Sequence, residues 1–238
     1  MTIAKMIDPN DFVITRKRKK YKFAKFANAN NCYELEEWIA RSPIKDGMKP
    51  VVAEIGAGTG LFSVELAARY PDHIFVAIDV KADRLQKGAY AALERGIDNV
   101  RFLRARADQV DELFAPHSVT AIWLTFPDPF PRQRSAGRRL THPSFLRKYQ
   151  TCLKKGLSLN GGDKSELCGL YLKHDNPEFF AWSLEQLVAD GWHIAELSFD
   201  LHESELSNDY KIMTTYEQRW IGEGRVTQCV RAMNSIDL

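Results

Sequence analysis

The chain has 238 residues, 45% of them hydrophobic, and its 33 Lys and Arg nearly balance its 31 Asp and Glu. A net charge of only +2 excludes binding of polyanions through overall charge alone, and the length suits one sizeable core. No apolar run approaches the roughly 20 residues of a membrane span, and the first residues lack the apolar stretch of a secretory signal. The sequence therefore predicts a soluble, cytoplasmic protein.

The four cysteines lie far apart in the sequence. They form no C-x-x-C pair and have no histidine at zinc-ligand spacing. We expect reduced, buried thiols and no metal site. The cysteines are Cys32, Cys152, Cys168 and Cys229.

Residues 1–32 form a predicted basic arm ahead of a single predicted domain at residues 33–238. Seven Lys or Arg lie between Arg16 and Lys25, a charge density that leaves little apolar surface to offset the entropy of ordering. We predict that the free arm is flexible and that it binds a polyanion, although such a run can also be a solvated face. The aromatic residues interleaved with these charges are Tyr21, Phe23 and Phe26.

From Pro50 onward, short apolar runs alternate with amphipathic segments. This alternation predicts an α/β fold with a doubly wound, mostly parallel sheet and an antiparallel strand at its edge. Before Pro50 we predict only a short helix that ends ahead of Pro43, and we predict a loop at 157–169, which has no clear period. The predicted strands are 51–55, 73–80, 100–105, 118–126, 170–175, 192–201 and 225–232. The predicted helices are 61–70, 82–96, 110–114, 143–156, 177–191 and one near 214–224.

Three glycines directly follow the first of these strands. Gly56, Gly58 and Gly60 would allow a tight turn and a close backbone approach to a ligand at the carboxyl edge of the sheet. Asp79 ends the next strand, nineteen residues after Gly60, where a carboxylate can bind the ribose hydroxyls of an adenosine-type cofactor. The alternative is a plain strand-to-helix turn with a capping Asp. The strand context favours a nucleoside site.

The spacing of the glycines bears on which nucleoside binds. The pattern is G-x-G-x-G rather than the dinucleotide pattern G-x-G-x-x-G, and Glu54 stands just before it. A carboxylate would repel a pyrophosphate but would favour an amino group or a sulfonium. S-adenosylmethionine carries both positive groups and no phosphate, so the motif favours a methyltransferase over a dehydrogenase.

A proline-rich loop follows the fourth strand, in FPDPFPRQRSAGRRL. Asp128 lies between Pro127 and Pro129, which restrict the backbone on both sides of it. We therefore predict a carboxylate held rigidly at the carboxyl edge of the sheet, where the sulfonium is expected. The alternative is a proline-rich turn capped by Asp.

This loop resembles that of the tRNA (guanine-N7)-methyltransferase family, whose pattern is close to F-P-D-P-W-P-K-x-R-H-x-K-R-R-L. The resemblance continues in LKHDN, SFDLH and IMTTYEQRW, and with EIGAGTG it covers roughly residues 50 to 230. It implies a Rossmann-like sheet of the S-adenosylmethionine-dependent methyltransferase type and methyl transfer to N7 of a guanine in the tRNA variable loop. S-adenosylmethionine would be the co-substrate, tRNA the partner, and no membrane or metal is implied.

The resemblance also implies roles for single residues. Asp128 matches the catalytic aspartate. The implied cofactor-binding residues are Glu54, Gly56, Gly58, Gly60, Asp79 and Asp108. The implied substrate-binding residues are Arg132, Asp175, Thr214, Thr215, Tyr216 and Glu217. The last four also fit a T-x-x-E capping box, which would simply begin a helix.

Some positions depart from the family pattern. Arg106 stands where the family has an Asp that receives the adenine amino group, so either Asp108 or the backbone alone takes that role. Phe130 replaces Trp, and His174 replaces Thr. Arg132 to Arg139 form either a phosphate-facing cluster or a solvated face. The rival functions are a methyltransferase acting on another substrate and an RNA-binding protein with a degenerate cofactor pocket, and the sequence does not distinguish a monomer from a homodimer.

Overall fold

The computed structural model describes residues 6–13, 17–41, 43–44, 49–155 and 167–234. Its strands are β1 Cys32–Glu34, β2 Val51–Ile55, β3 Ile74–Asp79, β4 Val100–Arg104, β5 Ala121–Thr125, β6 Gly169–His174, β7 Trp192–Ser198 and β8 Gln228–Asn234. Its α-helices are α1 Lys17–Asn28, α2 Leu35–Arg41, α3 Leu61–Arg69, α4 Ala82–Glu94, α5 Val110–Leu113, α6 Pro143–Cys152, α7 Pro177–Ala189 and α8 Thr215–Ile221. Short 3-10 helices lie at Pro9–Asp11, Ala107–Gln109 and Gln133–Arg138.

The strands form an eight-stranded sheet in the order β1-β4-β3-β2-β5-β6-β8-β7. Strand β4 pairs parallel with β1 and β3, and β5 pairs parallel with β6. Strand β8 runs antiparallel to both β6 and β7, so β7 is an edge strand with an antiparallel neighbour. The predicted doubly wound, mostly parallel sheet with an antiparallel edge is confirmed.

The chain divides into two compact units, and β2 contributes residues to both. The first unit comprises Met1–Pro50 and Glu54–Arg106, and the second comprises Val51–Ala53 and Ala107–Leu238. Strand β2 is buried along its whole length, as expected of a central parallel strand covered on both faces. The boundary between a basic arm and a single domain at residue 33 stays a prediction.

The helix α1 differs from the flexible arm that the charge density predicts. It packs against α4, with Ala24 3% and Phe26 1% exposed. The aromatic residues among the charges supply the apolar surface that the composition of this segment conceals. Arg16 lies outside the described residues, and so do residues 157–166 of the predicted loop.

The predicted strands and helices after Pro50 all form, with ends shifted by a few residues. Strand β1 was not predicted, because three residues are too short to display a period of two. All four cysteines are buried and free, as predicted.

Candidate functional site

The glycine loop between β2 and α3 takes the backbone conformation that the motif predicts. Gly56, Gly58 and Gly60 have φ angles of 76°, 57° and 69°, in the left-handed region that favours glycine. A Cβ added at Gly60 would lie 2.6 Å from the ring of Phe102, whereas one added at Gly58 would meet no described atom within 4 Å. Gly60 is therefore required for packing, and Gly58 faces open space that a ligand could fill.

Asp79 at the end of β3 holds this loop in place. Its Oδ2 accepts a hydrogen bond from the Gly58 N–H at 2.9 Å, and its Oδ1 accepts one from the Lys81 N–H at 2.8 Å. The structure thus brings Asp79 to the glycine loop, as the nineteen-residue spacing predicts. Each carboxylate oxygen has a second lone pair that can accept a hydrogen bond from a ribose hydroxyl.

Glu54 lies in β2 with only 2% of its surface exposed. Its Oε2 accepts hydrogen bonds from the Ser63 hydroxyl at 2.6 Å and from the Ser63 N–H at 3.3 Å. Ser63 is in the first turn of α3, where a helix favours negative charge. Ser63 was not predicted as a site residue, because a serine within an apolar helix has no distinctive sequence signal.

Gly88 is a second residue that the sequence analysis missed. It lies in the middle of α4, and its N–H donates to the Thr59 carbonyl oxygen at 3.0 Å. A Cβ at this position would lie 2.3 Å from the same oxygen, so only glycine lets α4 approach the loop. A glycine inside an amphipathic helix is the signal that could have revealed this contact.

The two candidates for the adenine position lie after β4. Arg106 is exposed, and Asp108 is half-buried in the 3-10 helix Ala107–Gln109. The Asp108 carbonyl oxygen accepts a hydrogen bond from Lys148 Nζ at 2.8 Å, which fixes its backbone. A cofactor role for the Asp108 side chain stays a prediction.

In the second unit, the Pro-Asp-Pro loop is fixed from both sides. His174 Nδ1 accepts from the Asn176 N–H at 2.8 Å, so the neutral ring donates from Nε2 to the Pro127 carbonyl at 2.9 Å. Burial lowers the pKa of His174, which keeps this ring neutral. The guanidinium of Arg139 donates to the Pro129 and Phe130 carbonyls at 3.0 and 3.1 Å. The departure from Thr to His at residue 174 therefore adds a support for the loop.

This loop also carries backbone strain. Phe126 and Phe130, which flank Pro127–Pro129, have φ angles of 50° and 40°. Such angles cost non-glycine residues roughly 1–3 kcal/mol each and persist only where the surroundings impose them. The result is an exposed Asp128 on a segment with little freedom to move.

Asp175, directly after β6, is engaged by an arginine that the sequence analysis did not select. Its Oδ2 accepts from Arg225 Nη1 at 2.9 Å, and only 4% of the Asp175 side chain is exposed. The same guanidinium lies over the Trp220 ring, 4.1 Å from the centroid. The fifty residues between the partners give no local pattern that could have predicted this pair.

Tyr216 joins these groups. Its ring lies 5.2 Å from that of Phe126 and 5.7 Å from that of Trp220, and 43% of the residue is exposed. Burial raises the pKa of Tyr216, and the Asp175 and Asp128 carboxylates raise it further. The second unit thus brings together two carboxylates and an exposed aromatic ring, a combination that suits a planar base with hydrogen-bond donors.

Thr214 and Glu217 form the predicted capping box. Thr214 Oγ1 accepts from the Glu217 N–H at 3.0 Å, and Glu217 Oε2 accepts from the Thr214 N–H at 3.2 Å. Glu217 is only 1% exposed and also accepts from Lys173 Nζ and His202 Nε2, each at 2.9 Å. Because Glu217 is buried and already paired, its environment differs from that of Tyr216, the exposed residue of the predicted substrate segment. Thr215 begins α8, and its side chain lies outside the description.

The arginines after the Pro-Asp-Pro loop divide into two groups. Arg139 is 8% exposed and structural, with its guanidinium over the Trp182 ring at 4.3 Å. Arg138 is exposed and lies 4.4 Å from the centroid of Phe130. Arg132 and Arg134 are exposed, and neither side chain has a hydrogen-bond or ion-pair partner in the part of the chain that the structure describes. The exposed three remain available to an anionic substrate.

The residues that the structure describes include neither a membrane span nor a cluster of metal ligands. No described helix is long and apolar enough to cross a membrane. Within the same ranges, no three His, Cys, Asp or Glu side chains form a group that could hold a metal ion.

Comparison with solved structures agrees with the fold. The 16S rRNA methyltransferase KamB matches with a TM-score of 0.57 and 17% identity over 78% of this chain and 88% of its own. A 16S rRNA (adenine(1408)-N(1))-methyltransferase from Catenulisporales acidiphilia matches with a TM-score of 0.53 and 16% identity over 84% and 93%. A family model described as "Putative methyltransferase" matches residues 48–230. The family model places the protein in the class of methyltransferases.

Sequence relatives identify one family within this class of methyltransferases. The tRNA (guanine-N(7)-)-methyltransferase of Brevibacillus brevis is 37% identical over 74% of this chain and 77% of its own length. That of Christiangramia forsetii is 33% identical over 85% and 86%. The chain belongs to the tRNA (guanine-N7)-methyltransferase family.

Proposed function

We propose that this protein transfers a methyl group from S-adenosylmethionine to N7 of a guanine in the variable loop of tRNA, in the cytoplasm. The observation that carries the proposal is the 37% identity to a tRNA (guanine-N(7)-)-methyltransferase over 74% of this chain. The carboxylates of Asp128 and Asp175, which both raise the pKa of Tyr216, support it. A planar base with donors on one edge fits two carboxylates beside an aromatic ring.

The glycine loop of the first unit is the proposed cofactor site. Asp79 accepts hydrogen bonds from the ribose hydroxyls, and Glu54 attracts the amino group of the methionine moiety. The glycines let the backbone approach the cofactor, with Gly58 on the open side of the loop. Asp108 is proposed to receive the adenine amino group in place of the family's aspartate.

In the second unit, Asp128 and Asp175 are proposed to accept hydrogen bonds from the guanine N1–H and exocyclic amine. Adenine lacks this pair of donors, so the arrangement favours guanine. Tyr216 would stack on the base, and Arg132 would contact the RNA backbone beside it. Thr214 and Thr215 would contribute polar contacts, while Glu217 positions Tyr216 from the interior of the protein.

The reaction needs no general base, because guanine N7 already presents a lone pair at physiological pH. N7 attacks the methyl carbon, the carbon–sulfur bond breaks, and the sulfonium becomes the neutral thioether of S-adenosylhomocysteine. The positive charge moves to the methylated guanine, where the Asp128 carboxylate stabilises it. Orientation of the reactants can supply roughly 7–11 kcal/mol of the barrier reduction.

The direct test is nucleoside mass spectrometry of tRNA incubated with the protein and methyl-labelled S-adenosylmethionine. We expect labelled 7-methylguanosine from the variable loop. Label in another nucleoside, or only in a small molecule or protein, would support a methyltransferase of another substrate. Absence of cofactor binding in calorimetry would contradict both enzyme functions and would favour an RNA-binding protein with a degenerate cofactor pocket.

A further inference from the structure

Asp175 is closed off by Arg225. The guanidinium donates to Asp175 Oδ2 at 2.9 Å, and its central carbon lies over Trp220, 4.1 Å from the ring centroid. Only 4% of the Asp175 side chain is exposed, so Arg225 holds the Oδ2 atom of a carboxylate that is largely shielded from water.

The group that occupies this position has the same chemistry as part of the proposed substrate. The N1–H, C2 and exocyclic amine of guanine form a planar guanidine unit that presents two parallel N–H donors, as does the end of an arginine side chain. A carboxylate and a flat aromatic surface bind both groups by the same contacts.

We propose that Asp175 and Trp220 form a binding subsite for a guanidine group, that the N1–N2 edge of the target guanine is its ligand, and that Arg225 occupies it until the RNA displaces it. This inference rests on the proposed function, since it names how the same site takes its base. It adds Trp220 and Arg225, to which the family resemblance assigned no role.

The surroundings of Arg225 would allow its side chain to move away from Asp175. The segment from Gly222 to Val226 is exposed throughout, and glycines at 222 and 224 leave its backbone few steric constraints. The Arg225 side chain is 45% exposed, and an ion pair in contact with water is only weakly favourable. On displacement Asp175 loses the charge of Arg225, but the neutral guanidine unit of guanine replaces the donated hydrogen bond, so the carboxylate is not left without a donor.

A fixed phosphate contact is the other role that an exposed arginine could have. The Arg225 charge is already offset by Asp175 and by the nearby carboxylate of Glu223. Arg219, which lies 5.0 Å from the centroid of the same Trp220 ring, has no ion-pair partner among the described residues and is the better candidate for such a contact. These neighbours favour the occupant role for Arg225.

The test compares Arg225→Gln with Arg219→Gln, because both remove one positive charge beside the same ring. We expect Arg225→Gln to lower the KM for tRNA about three- to tenfold relative to the wild type, with kcat unchanged, whereas Arg219→Gln should raise the KM or leave it unchanged. Guanosine, which carries no phosphate, should inhibit Arg225→Gln more strongly than either the wild type or Arg219→Gln. Inosine, which lacks the exocyclic amine, should gain less, and adding Asp175→Asn should abolish the gain.

A KM for Arg225→Gln equal to or above that of the wild type overturns the inference, and a higher value identifies Arg225 as an RNA contact. Calorimetric binding of S-adenosylmethionine by each variant establishes that the variant is folded. Arg225→Lys, which keeps the charge without the planar group, is a second test variant, and we expect its KM to lie between those of the wild type and Arg225→Gln. A wild type that forms no 7-methylguanosine would defeat the proposed function itself. A wild type that forms it, without the gain in Arg225→Gln, would defeat only this inference.

Discussion

The carboxylates of the candidate sites differ in the hydrogen bonds that they already accept from other residues of the protein. Asp79 holds two backbone N–H groups, Glu54 holds Ser63, and Asp175 holds Arg225. Asp128 is the exposed member of this set. Substitution of Asp79 should therefore disturb the glycine loop, whereas substitution of Asp128 should affect only the interaction with the substrate.

Asp79→Ala should weaken S-adenosylmethionine binding by about 1–3 kcal/mol, because it removes acceptors for the ribose and for the Gly58 N–H. Isothermal titration calorimetry measures this change, with Asp72→Ala, an exposed carboxylate of the same unit, as the control. An unchanged dissociation constant for Asp79→Ala would mean that the glycine loop is not the cofactor site.

Asp128→Asn keeps the shape of the side chain but replaces an acceptor with an amide. We expect kcat to fall about ten- to a hundredfold, the effect of one lost charge-assisted hydrogen bond in the transition state. Cofactor affinity should change little. Single-turnover methylation and calorimetry separate the two effects, and equal losses in both would move Asp128 from the base site to the cofactor site.

His174 predicts a pH dependence of stability. Its folded-state pKa lies below the ordinary value of about 6.5 because of burial, so the unfolded chain binds a proton more readily. Stability is complete above about pH 6.5 and falls as the pH drops below it. Urea unfolding of the wild type between about pH 7.5 and about pH 5, a range of about 2.5 units that spans the ordinary pKa of histidine, should reveal the loss. His174→Gln should reduce the slope, whereas His193→Gln, an exposed control, should not.

At the scale of secondary-structure elements, α8 is tied to β6 by buried charges. Lys173 is fully buried and donates to Glu217 and to the Ile212 carbonyl oxygen, both at 2.9 Å. His202 adds a third donor to the same cluster. Tyr216 directly precedes Glu217, and Asp175 follows Lys173 by two residues. The buried pair therefore fixes the position of Tyr216 relative to Asp175.

Glu217→Gln should destabilise the protein by about 3–5 kcal/mol, because it strands the buried Lys173 ammonium. Lys173→Met combined with Glu217→Leu should recover much of that loss, since it removes both charges. Chemical denaturation measures both changes. If Glu217→Gln instead leaves the free energy of unfolding intact and only raises the KM for tRNA, Glu217 is a substrate contact, as the family resemblance implies.

At the scale of the whole molecule, a net charge of +2 conceals local clusters of exposed cations. One cluster is on α1, where Arg18, Lys19 and Lys25 are exposed, and another comprises Arg132, Arg134 and Arg138. Because Phe26 anchors α1 in the core of its unit, the basic face of α1 belongs to a folded element. Removal of the segment would expose apolar surface on α4, so substitution of its charges is the cleaner test.

Changing Arg18, Lys19 and Lys25 together to Gln should raise the KM for tRNA and lower the slope of log KM against log salt by about 2, if each phosphate contact contributes about 0.7–0.9. Turnover at saturation and cofactor affinity should stay constant. The matched control changes Arg147, Lys154 and Lys155 to Gln in the second unit. An identical salt slope in the wild type and the α1 variant would leave these charges as a solvated face.

The sequence by itself determined features that depend on neighbouring residues. Alternating apolar runs predicted β2 to β6 in order, because burial on both faces of a parallel strand requires continuous hydrophobic residues. The glycine loop, Asp79 and the Pro-Asp-Pro segment could also be predicted from the sequence. Each is defined by the spacing of residues within one strand-turn-helix unit.

Only the tertiary structure decided the contacts between residues far apart in the chain. The Arg225–Asp175 pair, the Lys173–Glu217 pair and the contact of Gly88 with the glycine loop join segments about 30 to 50 residues apart. A periodic pattern encodes which face of an element is buried, but not which partner covers it. For that reason the sequence identified Asp175 as a site residue, whereas only the fold revealed the arginine that occupies it.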